Sequence, residues 1–322
     1  MIFHVTVLRA LAAMSITNAH YAGVYPSELI ANGGLLGDVL FFTVSGFCLV
    51  NIRNAFTRWY GKRIIRIYPS VWIITSLYIL LGFYTLENWS LAEYYLYPTY
   101  YHFVASIIVL YIPFYIVIKT KILVNNIPKV MLGMFIVQLV VYVFVYDTSF
   151  YHIDTVREPM IRFLFFQSML LGAYFRMHKE KFINRNKVTN WVALAAMIVL
   201  YFTSKLFFVK IDALSTYQIT NQIILFVLLY FVMRSFAGID CNLEALPTKI
   251  KNSLSFIAKI TLEIYAVQYV IIPRLVFLVF PLNWVVITGV IIFSAFVLHV
   301  VASKVGTGIE MVINKYFPEK KL

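Results

Sequence analysis

The sequence predicts an all-α integral membrane protein, a bundle of about ten transmembrane helices. Three observations predict it. Only 13% of the 322 residues are charged, where a soluble domain carries roughly 25%, so a water-facing surface could not be clothed. Hydrophobic residues make up 61% of the chain, and the mean hydropathy is +0.83. Those residues come in long runs, matching the roughly 20 that a helix needs to span a bilayer and unlike the short alternating segments of a barrel.

In chain order the spans are expected near 3–22, 35–51, 68–86, 102–118, 130–146, 160–177, 189–208, 219–236, 255–280 and 284–303. The first has a signal peptide's length, but it lacks a basic leader and carries Arg9 inside its apolar run, so it is expected to be retained. The ninth is long and contains Pro273, whose missing N–H predicts a kink or break there. Spans and short connections use up the length, so 1–322 reads as a single transmembrane domain with a cytoplasmic tail at 304–322. No internal repeat or low-complexity segment is visible. Cys48 and Cys241 stand far apart, which points to neither a disulfide framework nor a metal site.

The net charge of +13 follows membrane topology. Arg53, Arg58, Lys62, Arg63 and Arg66 fall in the connection after span two, and Lys119, Lys121 and Lys129 in that after span four. Arg176, Lys179, Lys181, Arg185 and Lys187 follow span six, Lys249 and Lys251 follow span eight, and Lys320 and Lys321 lie in the tail. The alternate connections hold Glu28, Glu87, Glu93, Asp147, Asp154, Glu158 and Asp212. The positive-inside rule then places both termini in the cytoplasm, and no nucleic acid is needed to explain the charge. Trp59, Trp89 and Trp284 fall near expected span ends, as interfacial aromatics do.

An ionisable side chain inside a span is costly and asks for a reason. Arg9 and His20 in span one, Asp38 in span two and Glu263 in span nine stand out. Arg9 and His20 are separated by about 1100° of helical rotation, close to three full turns, and by roughly 16 Å of rise. A polar line therefore runs along one face, with Asp38 at a depth similar to that of His20. An Asp beside a His fixes its tautomer and raises its basicity, which is how a general base is supported. The spacing alone leaves a second reading open, with His20 interfacial and Arg9 snorkelling to headgroups.

Arg63 and Arg66, with Lys62 beside them, form a two-pronged cationic site if this stretch is helical. Guanidinium forks match phosphate oxygens, so the site suits a phosphorylated ligand or, equally, lipid headgroups. Between these features the segment 33–47 is rich in small residues, Gly37, Ser45 and Gly46 among them, that permit close approach of helices or of a ligand.

Taken together and in this order, Arg9 followed after ten residues by His20, then Gly34, Gly37, Phe41, Phe42, Ser45, Gly46 and Phe47, then Arg63, Arg66, Tyr68 and Pro69, resemble the membrane-bound acyltransferase-3 family. The clear likeness covers 1–75 and is diffuse at 101–113, 167–174 and 261–268. Many members have His where this chain has Gln268, so no second catalytic histidine carries over to that position.

The resemblance implies an enzyme of the inner or plasma membrane that takes an acyl group, usually acetyl, from cytoplasmic acetyl-CoA. Its acceptor is a hydroxyl on a surface polysaccharide or lipid-linked glycan. Some members carry an extra hydrolase-like domain; this chain is expected to act alone. Arg63, Arg66, Lys62, Ser45 and Tyr68 would bind the CoA co-substrate, and no metal is implied. His20 would be the base that activates the hydroxyl; Asp38 as its orienter is read from the residues and is not a family feature. Arg9 would stabilise the oxyanion or thioester, or hold the pantetheine arm. Whether His20 first takes the acyl group itself is not readable. Glu263 is read as half of a structural ion pair. Two other classes remain open on the sequence. A transporter would use the midplane charges and the broken ninth span, though the inverted repeats that mark such proteins are not seen. A non-catalytic member of a polysaccharide-assembly complex would tolerate loss of His20.

Overall fold

The computed structural model describes residues 2–87, 89–155 and 159–316; Glu158, Lys320 and Lys321 lie outside them. Among the described residues every regular element is helical. The first half contains α1 (Phe3–Ala19), α2 (Gly34–Leu49), α3 (Phe56–Leu80), α4 (Leu91–Tyr95), α5 (His102–Lys119), α6 (Lys121–Val124) and α7 (Ile127–Phe144). There follow α8 (Ile161–Met177), α9 (Val188–Lys210), α10 (Ile219–Gly238), α11 (Asp240–Glu244), α12 (Thr248–Lys259), α13 (Thr261–Leu275) and α14 (Leu282–Tyr316).

Among the described residues seven helices are long and apolar enough to cross a membrane, or eight if α12 and α13 form one bent span. Two of the expected spans are the shorter helices α1 and α8, of 17 residues each. Large apolar side chains face outward: Leu80 is 84% exposed, and Phe144 and Val279 are each 80% exposed. Water would not tolerate such a surface, and lipid does. The protein is a polytopic, all-helical membrane protein.

Three local expectations are corrected. The basic stretch after span two is not a loop, because α3 begins at Phe56 and carries Arg58, Lys62, Arg63 and Arg66 on its first turns. Charge ends a hydropathy run, but it does not end a ladder of backbone hydrogen bonds. The break in the ninth span falls at Ile260, where α12 and α13 meet at 69°, and not at Pro273. There the Thr261 hydroxyl bonds back to the carbonyls of Ile257 (3.2 Å) and Ala258 (3.0 Å), offering them a partner other than the continuing helix. Pro273 is tolerated two residues before α13 ends. Finally, α1 stops at Ala19, so His20 stands just beyond the helix in a turn closed by its own N–H on the Thr17 carbonyl (3.0 Å).

The chain forms two interleaved compact units, Met1–Ala12, Leu35–Ile52 and Pro113–Ser255 in the first, and Ala13–Gly34, Arg53–Ile112 and Phe256–Leu322 in the second. In the first unit α10 packs on α8 and α9, and α7 packs on α8. The backbones of α2 and α8 nearly touch: a Cβ at Gly46 would collide with the Met169 carbonyl, and one at Gly172 with the Thr43 carbonyl. Phe42 stacks on Phe165 beside this crossing, with 4.3 Å between centroids. A buried amide chain joins α7, α8 and α10, with Gln167 donating to Gln138 (2.8 Å) and Gln138 to Gln222 (2.6 Å). Such side chains satisfy one another where lipid cannot.

In the second unit α3, α13 and α14 pack on one another, and α4 packs on α3. Pro69 inside α3 supplies no N–H to the Ile65 carbonyl one turn back. Gly306 of α14 approaches that carbonyl, and a Cβ there would lie 3.3 Å from its oxygen. Further along, Arg58 donates to Asn314 (3.2 Å), so the basic start of α3 lies along the final turns of α14.

Candidate active site

Within the second unit Lys62, Arg63 and Arg66 stand in the first half of α3, and a cluster of tyrosines stands near its far end. At its start Lys62 and Arg63 are half-buried and Arg66 is exposed. The Arg63 guanidinium lies 5.7 Å from the centroid of the Trp59 ring. Among the described residues Lys62 and Arg66 make no hydrogen bond or ion pair. Tyr68, predicted to bind the co-substrate, donates its hydroxyl to the Leu96 carbonyl at 2.5 Å.

At the far end Tyr78 donates to the Val267 carbonyl (2.9 Å), and Tyr84 and Tyr101 share a hydrogen bond of 3.0 Å. Tyr269 of α13 stands among Tyr100, Tyr101 and Tyr265. His20 meets Tyr269 edge-on at 5.1 Å. The imidazole is half-buried, and among the described residues its ring nitrogens make no hydrogen bond.

The loop that carries His20 is held by its own polar groups. Asn18 donates to the carbonyls of Ile30 (2.8 Å) and Asn32 (3.0 Å) and accepts from the Tyr25 hydroxyl (2.7 Å). Gly34 begins α2 so close to α1 that a Cβ would stand 2.8 Å from that of Ala19. Asn283 adds a hydrogen bond to the Val24 carbonyl (2.9 Å), and Tyr21 pairs with Thr288 (2.8 Å). The histidine is presented on a clamped turn, and among the described residues neither ring nitrogen has a hydrogen-bond partner.

In the first unit Arg9 of α1 donates to the Cys48 sulfur at 3.3 Å. Asp38 is buried in α2 and makes no hydrogen bond or ion pair among the described residues. Ser45 is half-buried beside Gly46, at the crossing of α2 with α8. The structure thus groups His20, Lys62, Arg63, Arg66 and Tyr68 in one unit, and Arg9, Asp38 and Ser45 in the other.

A family model described as an acyltransferase domain, acyltransferase-3, matches residues 3–304. The chain belongs to the membrane acyltransferase-3 family. Neither a curated protein nor a solved structure matches it.

As a membrane acyltransferase-3 protein, the chain holds several groups that its sequence did not single out. Asn18 looks like any polar residue near a helix end, and its three loop partners are visible only in three dimensions. His299 sits mid-way along α14 and meets Glu263 at 3.2 Å, while Ser70 donates to the same carboxylate oxygen at 2.8 Å. His4 and Asp240 form a buried pair in the first unit, the Asp240 carboxylate also accepting the His4 backbone N–H at 2.7 Å. That arrangement caps the exposed donors at the start of α1 with a negative charge. Gln268 is fully buried, and its amide has no hydrogen-bond partner among the described residues.

Proposed function

We propose that this membrane acyltransferase moves an acetyl group from cytoplasmic acetyl-CoA to a hydroxyl of a surface polysaccharide or lipid-linked glycan. The observation that supports the reading is the polarity of α3, with a cationic turn toward one end and His20, unbonded at its ring nitrogens among the described residues, near the other. Lys62, Arg63 and Arg66 hold the CoA phosphates, since guanidinium and ammonium groups pair with phosphate oxygens. Twelve residues of α3 separate Arg66 from Tyr78, roughly 18 Å of rise, a distance suited to an extended pantetheine arm. His20 then takes the proton from the acceptor hydroxyl as its oxygen attacks the thioester carbonyl, and CoA leaves as the thiolate. The roles read from the sequence for Asp38, as orienter of the base, and for Arg9, as stabiliser of charge on the thioester oxygen, are each tested by substitution. Tyr68 supports the donor site.

The positive-inside pattern supports both termini lying in the cytoplasm, where acetyl-CoA is found; the plasma membrane follows from the family likeness.

The test uses sealed inside-out membrane vesicles, labelled acetyl-CoA outside, and lipid-linked or cell-wall glycans as acceptors. We expect label in glycan, and a KM for acetyl-CoA raised about tenfold by Arg66→Gln, or about 1.4 kcal/mol, with kcat little changed. Label that reaches no glycan while acetyl-CoA stays intact overturns the reading.

A further inference from the structure

The Glu263 cluster in the second unit has an ordered hydrogen-bond direction. Ser70 donates to Oε1 of Glu263 at 2.8 Å, and Nδ1 of His299 meets the same oxygen at 3.2 Å. Nε2 of His299 then faces the Ser303 hydroxyl at 3.4 Å, on the next turn of α14. With the Nδ1 proton directed at the carboxylate, Nε2 is an acceptor and Ser303 its donor. Among the described residues Oε2 of Glu263 makes no hydrogen bond. Oε2 and the lone pairs of the exposed Ser303 oxygen are therefore all acceptors. A carboxylate buried in a span, bonded on one oxygen only, calls for a ligand that donates N–H or O–H.

The position of the cluster names the ligand. Ser70 lies four residues beyond Arg66 on α3, about 6 Å of rise toward the His20 end. Gly306, one turn from Ser303 on α14, packs on Ile65 and Pro69. The cluster thus stands one turn inward from the cationic site, on the way to the reacting end. A CoA whose phosphates sit at Arg63 and Arg66 carries a hydroxyl and an amide N–H at that distance along its arm.

We propose that Glu263, His299 and Ser303 form a recognition subsite for the phosphate-proximal part of the pantetheine arm. Glu263 accepts from the pantetheine hydroxyl or amide N–H, and His299, backed by Ser303, holds that carboxylate in place. The subsite makes the enzyme selective for CoA-borne acyl groups over shorter thioesters. This proposal rests on the acetyl-CoA reading given above.

The test compares two donors, acetyl-CoA and acetyl-S-N-acetylcysteamine, which keeps the thioester and the distal amide but lacks the pantetheine hydroxyl and the proximal amide. Purified, lipid-reconstituted wild type, Glu263→Gln, His299→Ala and Ser303→Ala are assayed with one glycan acceptor. Ser303→Ala, at an exposed position, keeps the test open should the buried variants fail to fold. We expect the KM for acetyl-CoA to rise about tenfold in Glu263→Gln and His299→Ala and several-fold in Ser303→Ala, with kcat within about twofold. With the short thioester, all variants should match wild type. Parallel losses with both donors, a raised KM for the glycan instead, or an unchanged KM for acetyl-CoA would each overturn the subsite. Wild type that uses the short thioester but shows no preference for acetyl-CoA would overturn it too. Wild type that turns over neither donor would overturn the acetyl-CoA reading itself.

Discussion

Tyr269 and His20 meet in a T-shaped ring contact, at 5.1 Å between centroids and 69° between planes. An edge-on aromatic contact is worth about 0.5–1.5 kcal/mol beyond its area, enough to favour one imidazole orientation. Tyr269→Phe keeps that contact and should leave kcat within about twofold. Tyr269→Ala frees the imidazole and should lower kcat about tenfold, with little change in the KM for acetyl-CoA. Steady-state kinetics of the reconstituted protein check both. Equal loss in the two variants would mean that the hydroxyl, not the ring edge, matters.

Asn18 secures the turn that presents His20. Asn18→Ala removes three hydrogen bonds, to Ile30, Asn32 and Tyr25. At about 1 kcal/mol each, the net loss of stability should be about 1–3 kcal/mol. Activity should fall by more than the unfolded fraction explains, because the loop that carries the base loosens first. Thermal unfolding in detergent and activity measured well below the midpoint separate the two effects.

The crossing of α2 and α8 has no room for a side chain. Gly172→Ala places a Cβ against the Thr43 carbonyl and should destabilise by about 1–3 kcal/mol. At Gly133, on α7, a Cβ would meet nothing within 4 Å, so Gly133→Ala should stabilise by about 0.5–1 kcal/mol. Opposite shifts in midpoint are expected, and shifts of the same sign would contradict the packing described.

Asp154 lies in the connection between α7 and α8. Burial pushes its carboxyl above the usual range, against the Lys205 charge and the hydrogen bonds from Tyr151 and Asn221, which pull it down. A carboxyl with a raised folded pKa binds its proton more tightly when folded, so wild-type stability falls as pH rises from the unfolded value through the folded one. Asp154→Asn does not titrate and can still accept from Tyr151 and Asn221. Its advantage in unfolding midpoint over wild type should therefore grow as pH rises above about 4, the unfolded value of an Asp. A difference independent of pH would contradict the shift.

Composition made the fold class legible, because bilayer-spanning helices leave a long apolar run that little else produces. The family was legible in Arg9, His20, the glycine-rich start of α2 and the Arg63–Arg66 pair, short motifs whose order adds specificity. Boundaries were less legible, since hydropathy records where charge begins and not where backbone hydrogen bonds stop. The helical start of α3 and the end of α1 before His20 both follow from that difference. The break at Ile260 leaves no mark in hydropathy, and a hydroxyl that bonds back one turn, as Thr261 does, also occurs in unbroken helices such as α2 at Thr43. Gly46 read equally as a packing or a ligand-approach residue until the Met169 carbonyl was seen against it. His299 was invisible as a partner of Glu263, because the two are 36 residues apart and meet only when α13 and α14 pack.

The central claim is that His20 is the base that activates the acceptor hydroxyl. The most direct measurement is the initial rate of label transfer from acetyl-CoA to glycan by reconstituted wild type and His20→Gln, with acetyl-CoA binding measured on the same samples. We predict binding within about twofold of wild type and a rate lowered by about 10²–10⁴, the range that general-base catalysis contributes. A His20→Gln protein that binds acetyl-CoA and transfers label at the wild-type rate would contradict the account.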